Sequence, residues 1–236
     1  MGVFAKIVSA VKEIDQIKTQ VENNQKNIVS VWTFVDGVRK YLWGDKSNLI
    51  FSSTKPGAYS WTVPSEYDGA KVIIKYSGGG GGTFNGLAPS AYTYGRAGNA
   101  ELKEYTVVLH TGDVISGTVG SAGLDKKEPN VSNGGTGYNN GASGVQITGI
   151  GGLWTRGGGG GGSTSLLIND DLIGEASAGG GMYGGRSGMT GGNGAGPNGG
   201  TQGASAGNGL GATGAIYDRS AGNTEAEDGF VEIYFA

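Results

Sequence analysis

The sequence predicts a mainly β domain with packed, polyglycine-II-like glycine helices, preceded by an N-terminal α-helical coiled coil that makes the protein a trimer. Three observations predict it. Glycine supplies 51 of 236 residues, in runs that touch strand-like segments. Lys71–Tyr76 leads into Gly78–Gly82, Leu153–Thr155 leads into Gly157–Gly162, and Leu166–Ile168 and Leu172–Ile173 precede Gly179–Gly181. The chain ends in a strand whose Val231, Ile233 and Phe235 share one face, and such a strand needs partners upstream. The third observation is a heptad pattern over residues 1–44.

With Phe4 at position a, the a series is Phe4, Val11, Lys18, Gln25, Trp32 and Arg39. The d series is Ile7, Ile14, Val21, Ile28, Val35 and Leu42, apolar throughout. Val8, Ile17, Val29, Val31 and Val38 widen the stripe into flanking positions, which argues for more than two strands. The trimer contacts predicted on this basis are Phe4, Ile7, Val11, Ile14, Val21, Ile28, Trp32, Val35 and Leu42. Gly44–Asn48 breaks the pattern and reads as a hinge, dividing the chain into domains 1–46 and 47–236.

Beyond the hinge, Leu49–Phe51 is followed by the turn Lys55-Pro56-Gly57. Tyr59, Trp61 and Val63 alternate in a strand that stops at Pro64. Val72, Ile74 and Tyr76 alternate in the next strand, which runs into the first glycine tract. Residues 83–98 read as a loop. Tyr105, Val107 and Leu109 line one face of a further strand, Thr111-Gly112-Asp113 makes a tight turn, and Ile115 and Val119 continue the hairpin. Residues 121–142 read as loop, Val145, Ile147, Leu153 and Trp154 as short strands, and Ile168–Leu172 as a hairpin bend.

The glycine field of about Gly174–Gly214 lies inside the domain, because the last strand follows it. Ordering it costs roughly 1–2 kcal/mol per residue, which its few apolar side chains cannot offset. Backbone hydrogen bonds between close-packed extended runs can, with about three residues per turn as in polyproline II. The repeat is not Gly-X-Y and proline is scarce, which excludes collagen.

Bulk properties narrow the function. There is no cysteine, hence no disulfide framework and no Cys-ligated metal. A net charge of -3 gives no reason to expect nucleic acid as a partner. No apolar run is long enough to insert across a membrane. Lys6 and Lys12 interrupt any signal-peptide reading of the start, and Lys6 stands where myristoylation wants Ser or Thr.

Five segments in order carry a family resemblance: Trp61–Pro64, Val72–Gly82, the hairpin Tyr105–Gly120, the Gly-run, hairpin and Ala-Gly-Gly-Gly segment of Gly157–Gly181, and the glycine field with its terminal Gly229–Phe235 strand. Over residues 49–236 the chain resembles the glycine-rich domain of bacteriophage tail-fibre, tail-spike and adhesin proteins. The resemblance implies a β base capped by packed glycine helices, carried on a virion and attached to it through residues 1–46. It implies a homotrimeric structural fibre or adhesin that binds a host receptor. The alternatives are a collar, neck or head fibre with no receptor of its own, and a polysaccharide-degrading tail spike.

Enzyme chemistry finds little footing. Gly209–Gly214 matches G-x-G-x-x-G without the strand-to-helix setting that the motif needs, and Gly162-Ser163-Thr164 lacks a Walker lysine. His110, the only histidine, ends a strand at a turn. Asp170 and Asp171 suit a turn better than calcium. Glu225, Glu227 and Asp228 crowd a polar turn, which suits solvation better than glycoside cleavage. No enzyme activity, cofactor or metal is expected. The expected receptor contacts are loop aromatics with nearby arginines: Phe84, Tyr92, Tyr94 and Arg96, joined by Tyr183, Arg186 and Met189. Such a set suits a bacterial surface glycan or an outer-membrane protein.

Overall fold

Asp36-Gly37 stands between two runs rich in β-branched and aromatic residues, Val29–Val35 and Val38–Trp43. That dipeptide between such runs is a hairpin signal, and a hairpin forms. Strands β1 (Ser30–Val35) and β2 (Val38–Gly44) pair antiparallel, closing with Val35 opposite Val38. This corrects the coiled-coil expectation. The protein is 38% strand and 2% helical, and no helix among the described residues reaches seven. Trp32, Val35 and Leu42, predicted as trimer contacts, lie in these strands. The other predicted contacts, Phe4, Ile7, Val11, Ile14, Val21 and Ile28, lie outside the described residues. The heptad reading weighed the apolar d series above the polar a positions Lys18, Gln25 and Arg39, and passed over the Asp-Gly turn signal. With the coiled coil goes the basis for a threefold stalk.

A computed structural model of the chain describes strands 30–35 and 38–44 and residues 49–83, 94–124, 133–144, 146–148, 154–156, 158–182, 192–218, 220–221 and 224–236. The chain divides into two units, Met1–Asn48 and Leu49–Ala236. The second unit contains β3 (Leu49–Ser53), β4 (Gly57–Thr62), β5 (Lys71–Ser77), β6 (Tyr94–Arg96), β7 (Leu102–Val108), β8 (Val114–Val119) and β9 (Gln146–Thr148). It continues with β10 (Trp154–Arg156), β11 (Thr164–Ile168), β12 (Asp171–Ala176), β13 (Ile216–Asp218) and β14 (Phe230–Phe235).

Two open antiparallel sheets of four strands form its base, in orders β3-β14-β5-β7 and β12-β11-β8-β4. Their inward residues make one core. Val72, Ile74, Tyr76, Val231 and Ile233 come from the first sheet, and Tyr59, Ile115, Val119, Leu166 and Ala176 from the second. Phe51 stacks on Trp61 at 5.5 Å between ring centroids, joining edge strand β3 to edge strand β4. The buried Tyr59 hydroxyl donates to the Ser165 carbonyl at 3.0 Å, reaching across β8. Gly117 sits in that path, where a Cβ would stand 2.2 Å from the Ser165 oxygen.

Above the sandwich β3 turns back into β4 over residues 54–56, and the other strands do not turn back. They run on as glycine segments, and the hydrogen-bond pattern changes. Gly79 and Gly82 donate to Gly162 and Gly159 and accept from Gly179 and Met182. Gly80 donates to Glu227 and accepts from Gly123, while Gly81 donates to Gly98 and accepts from Ala215. The partners repeat after three residues, the period of polyproline II, and each residue directs its N–H and C=O to different neighbours. The same spacing recurs in Gly158 and Gly161, which donate to Met182 and Gly179, and in Ala178 and Gly181, which donate to Ala195 and Gly192. Segments 78–82, 158–162 and 178–182 are bonded pairwise into a central triangle. Segments 97–100, 121–124, 133–142 and 192–215 surround it, so much of what reads as loop in the sequence belongs to this lattice.

Where sheet meets lattice, a two-residue period meets a three-residue one, and backbone groups lose their regular partners. Buried polar side chains take them up. Thr164 Oγ1 donates to the Ser77 carbonyl at 2.6 Å and accepts from the Gly120 N–H at 2.9 Å. Ser77 Oγ accepts from the Ala212 N–H at 2.8 Å, and Glu101 Oε2 accepts from the Ser177 N–H at 3.0 Å.

A Cβ on Gly81 would stand 2.0 Å from the Gly180 oxygen, backbone that cannot retreat alone. Gly81→Ala should therefore cost roughly 3 kcal/mol or more, a fall in melting temperature of about 6–12 °C by calorimetry. Thr164→Val keeps the shape and strands the buried Gly120 N–H, and should cost about 1–3 kcal/mol in the same measurement.

Candidate functional site

The lattice has two ends. Ser77, Glu101, Gly120, Ser163, Ser177 and Gly229 lie at the end joined to the sandwich, each next to a sheet strand. Gly82, Gly158 and Met182 lie at the other end, tied by Met182 N–H to Gly82 C=O at 2.9 Å and Gly158 N–H to Met182 C=O at 3.0 Å. Parallel and antiparallel bonding fixes the direction of every segment. Those reaching Thr83, Leu124, Ala142 and Met182 arrive at this far end, and those starting at Asn133, Gly158 and Gly192 depart from it.

The excursions between them are held closed at their feet. Gly158 donates to Met182 and accepts from Gly192 at 2.8 Å, so both feet of segment 183–191 meet on one residue. The feet of segment 125–132 bond directly, Leu124 N–H to Asn133 C=O at 3.1 Å. Segment 84–93 leaves beside Gly82 and returns in β6, whose Tyr94, Gly95 and Arg96 stand opposite Asp218, Tyr217 and Ile216 of β13. A second short hairpin, β9 with β10, lies within the excursion between Gly144 and Gly158. Below β6 and β13, Ala97, Met182 and Tyr217 form a small apolar cluster.

Of the expected receptor contacts, Arg96 is exposed on β6 and Tyr94 begins that strand. Phe84, Tyr92, Tyr183, Arg186 and Met189 lie outside the described residues. The Met182–Gly82 bond links one flank of segment 183–191 to one flank of segment 84–93. Sequence reading passed over Leu124, half exposed at the same end, and Asp218, whose carboxylate accepts from Ser220 Oγ at 2.7 Å and from the Ser220 and Ala221 N–H groups. The Ser220 hydroxyl first, and then these amides, hold Asp218 below the usual carboxylate range. The signal was present in Asp218-Arg219-Ser220, a side chain that caps its own turn.

Two of the acids weighed for catalysis hold backbone amides. Glu227 accepts from the Thr213 N–H at 2.9 Å and Asp228 from the Ala122 N–H at 2.8 Å, each standing in for a missing backbone carbonyl. His110 closes the turn at Asp113, and Asn169 and Asp170 take positive φ in the β11–β12 bend. No group of three or more acidic or histidine side chains suited to a metal occurs among the described residues. No protein-family model matches the chain, and no curated protein matches it significantly.

The Thr213 backbone bond, with a further Thr213 side-chain bond, holds the Glu227 carboxyl below its ordinary value of 4.5. A depressed folded-state value contributes stability above the unfolded value, lost as pH falls through the folded one. Wild-type protein should thus lose melting temperature more steeply below pH 4.5 than Glu227→Gln, which carries no titrating carboxylate. Equal acid slopes for the two proteins would remove Glu227 from this role.

Proposed function

We propose that the chain is a structural fibre or adhesin of a bacteriophage virion, in which the glycine lattice carries host-binding loops at its far end. The observation that supports this reading is the gathering of loop feet. The feet of segments 84–93, 125–132 and 183–191 leave one end of the lattice, and the sandwich occupies the other. Segments 84–93 and 183–191, together with β6, contain the aromatic and arginine residues that suit a surface receptor. Loops on a rigid scaffold are a common way to build a binding surface.

In this reading Phe84, Tyr92, Tyr94 and Arg96 contact a bacterial surface glycan or outer-membrane protein, and Tyr183, Arg186 and Met189 extend the same surface. Rings stack on a sugar or a protein loop, and the guanidinium donates hydrogen bonds to it. Residues 1–46 attach the chain to other virion proteins.

The test is adsorption of fluorescently labelled full-length protein to a panel of bacterial strains. Wild type should label susceptible cells. The triple substitutions Tyr92→Ala/Tyr94→Ala/Arg96→Ala and Tyr183→Ala/Arg186→Ala/Met189→Ala should each keep the wild-type melting temperature and lose tenfold or more in adsorption, since hot-spot side chains contribute about 1–3 kcal/mol each. Adsorption unchanged in both variants would leave a collar, neck or head fibre without receptor binding as the better reading.

A further inference from the structure

Among the described residues β7 is an edge strand, paired with β5 on one side only. Backbone groups alternate along it. Leu109 donates to Ala70 on the β5 side at 2.9 Å, so the odd-numbered residues face β5 and Leu102, Glu104, Thr106 and Val108 face outward. The two limits of this outward row are closed. At Leu102 the Asn208 side-chain amide imitates a paired strand, accepting from the Leu102 N–H at 3.0 Å and donating to its carbonyl at 2.8 Å. At His110 the N–H donates to Asp113 Oδ2 at 2.9 Å and the carbonyl accepts from the Asp113 N–H at 3.0 Å. Between them, no bond among the described residues takes up the outward N–H and C=O of Glu104, Thr106 and Val108.

This open window is self-complementary. Thr106 is equidistant in sequence from the closed positions Leu102 and His110. A twofold axis at Thr106 sets Thr106 against Thr106 of a second copy, Glu104 against its Val108, and closed Leu102 against its closed His110. Each open donor of Glu104, Thr106 and Val108 then meets an open acceptor, and the caps at Leu102 and His110 end the paired stretch on either side. The charges agree with this register. Glu104 is paired with Lys75 at 3.0 Å behind it, and Val108 has Lys71 beside it on β5. Along the joined row the order is Lys75, Glu104, then Val108 and Lys71 of the second copy, with no like charges adjacent. Val108, 45% exposed in the single chain, gains cover. We propose that the outward edge of β7 is a homodimer interface, in which Glu104–Val108 pairs antiparallel with the same segment of a second copy and joins two four-stranded sheets into one.

The sequence holds no cysteine, so one introduced cysteine reports on one contact. Directly opposed residues of a hydrogen-bonded antiparallel pair stand about 5.5 Å apart at Cα, within disulfide range. Full-length Thr106→Cys should form a covalent dimer under mild oxidation much faster than Ser60→Cys, an exposed residue on edge strand β4. Wild-type protein should sediment as a dimer somewhere within about 10–100 µM, and Thr106→Pro should shift that midpoint at least tenfold. The Thr106 N–H points off the sheet, so proline there removes no bond of the single chain, and an unchanged melting temperature for the monomeric variant checks this. A monomer throughout that range, an oligomer that survives Thr106→Pro, or cross-linking of Thr106→Cys no faster than the Ser60→Cys control would each overturn the proposal.

Discussion

The second unit depends on how closely its backbones approach one another above the sandwich. A Cβ would stand 2.1 Å from the Ser121 oxygen at Gly79, 2.0 Å from the Gly162 oxygen at Gly120, and 2.0 Å from the Gly158 oxygen at Gly181. No L side chain fits such gaps. Glycine is entropically the most costly residue to order, and the lattice offsets that cost with main-chain bonds to several neighbours at once, as at Gly79, Gly80, Gly81 and Gly82, each of which both donates and accepts. In an ordinary domain the core is made of side chains and the backbone bonds accompany it. Here the backbone bonds and the dispersion between bare main chains are the core, and side chains are displaced to the lattice surface and to its junction with the sheets.

That junction explains a set of buried polar residues that otherwise looks out of place. Ser77, Glu101, Ser163, Thr164, Ser165 and Ser177 are all buried. A buried polar group without a partner is costly, yet these fall where the sheet ladder stops and the threefold pattern begins. The hydroxyl of Thr164 is donor to one segment and acceptor from another, a double role that a backbone carbonyl cannot play. Glu227 and Asp228 solve the same difficulty at the lattice rim by offering carboxylate oxygens to Thr213 and Ala122. Short polar side chains thus supply the bonds wherever two incompatible backbone symmetries adjoin.

The sequence made the sandwich legible through simple alternation. Val72, Ile74 and Tyr76, like Val231 and Ile233, are buried as their spacing requires. The lattice segments inside the predicted loops 83–98 and 121–142 were harder to read, because a lone Gly98 or Gly123 gives no period, and only its distant bonding partners show its place. The N-terminal strands were misread for a different reason. Valine, tryptophan and tyrosine at residues 29–43 satisfy a heptad count and a strand composition equally well, and only Asp36-Gly37 separates the two. Over residues 30–44 a local turn signal of two residues outweighed the heptad series. The hydroxyl junction had a faint signature in the serines and threonine flanking the glycine runs, at Ser77, Ser163-Thr164-Ser165 and Ser177, where the residue types suggest turns more readily than buried bonds.

The lattice also decouples its far end from what holds it in place. The feet of segment 183–191 are fixed by main-chain bonds to Gly158, and those of 125–132 by a main-chain bond to each other. None of these anchors uses a side chain of the excursion itself. Once two feet are held at hydrogen-bond distance, the entropic cost of the chain between them grows only as the logarithm of its length, roughly 0.6 kcal/mol for each doubling. Excursions of different length and sequence can therefore be accommodated at this end with little effect on the glycine segments beneath. A side-chain core would not tolerate this so readily, since a loop packed onto such a core shares its contacts and constrains its composition. A main-chain lattice restricts its own residues almost absolutely and the loops it carries very little. If the chain is the adhesin proposed above, that asymmetry would give it a rigid mount whose recognition residues could change independently of the fold.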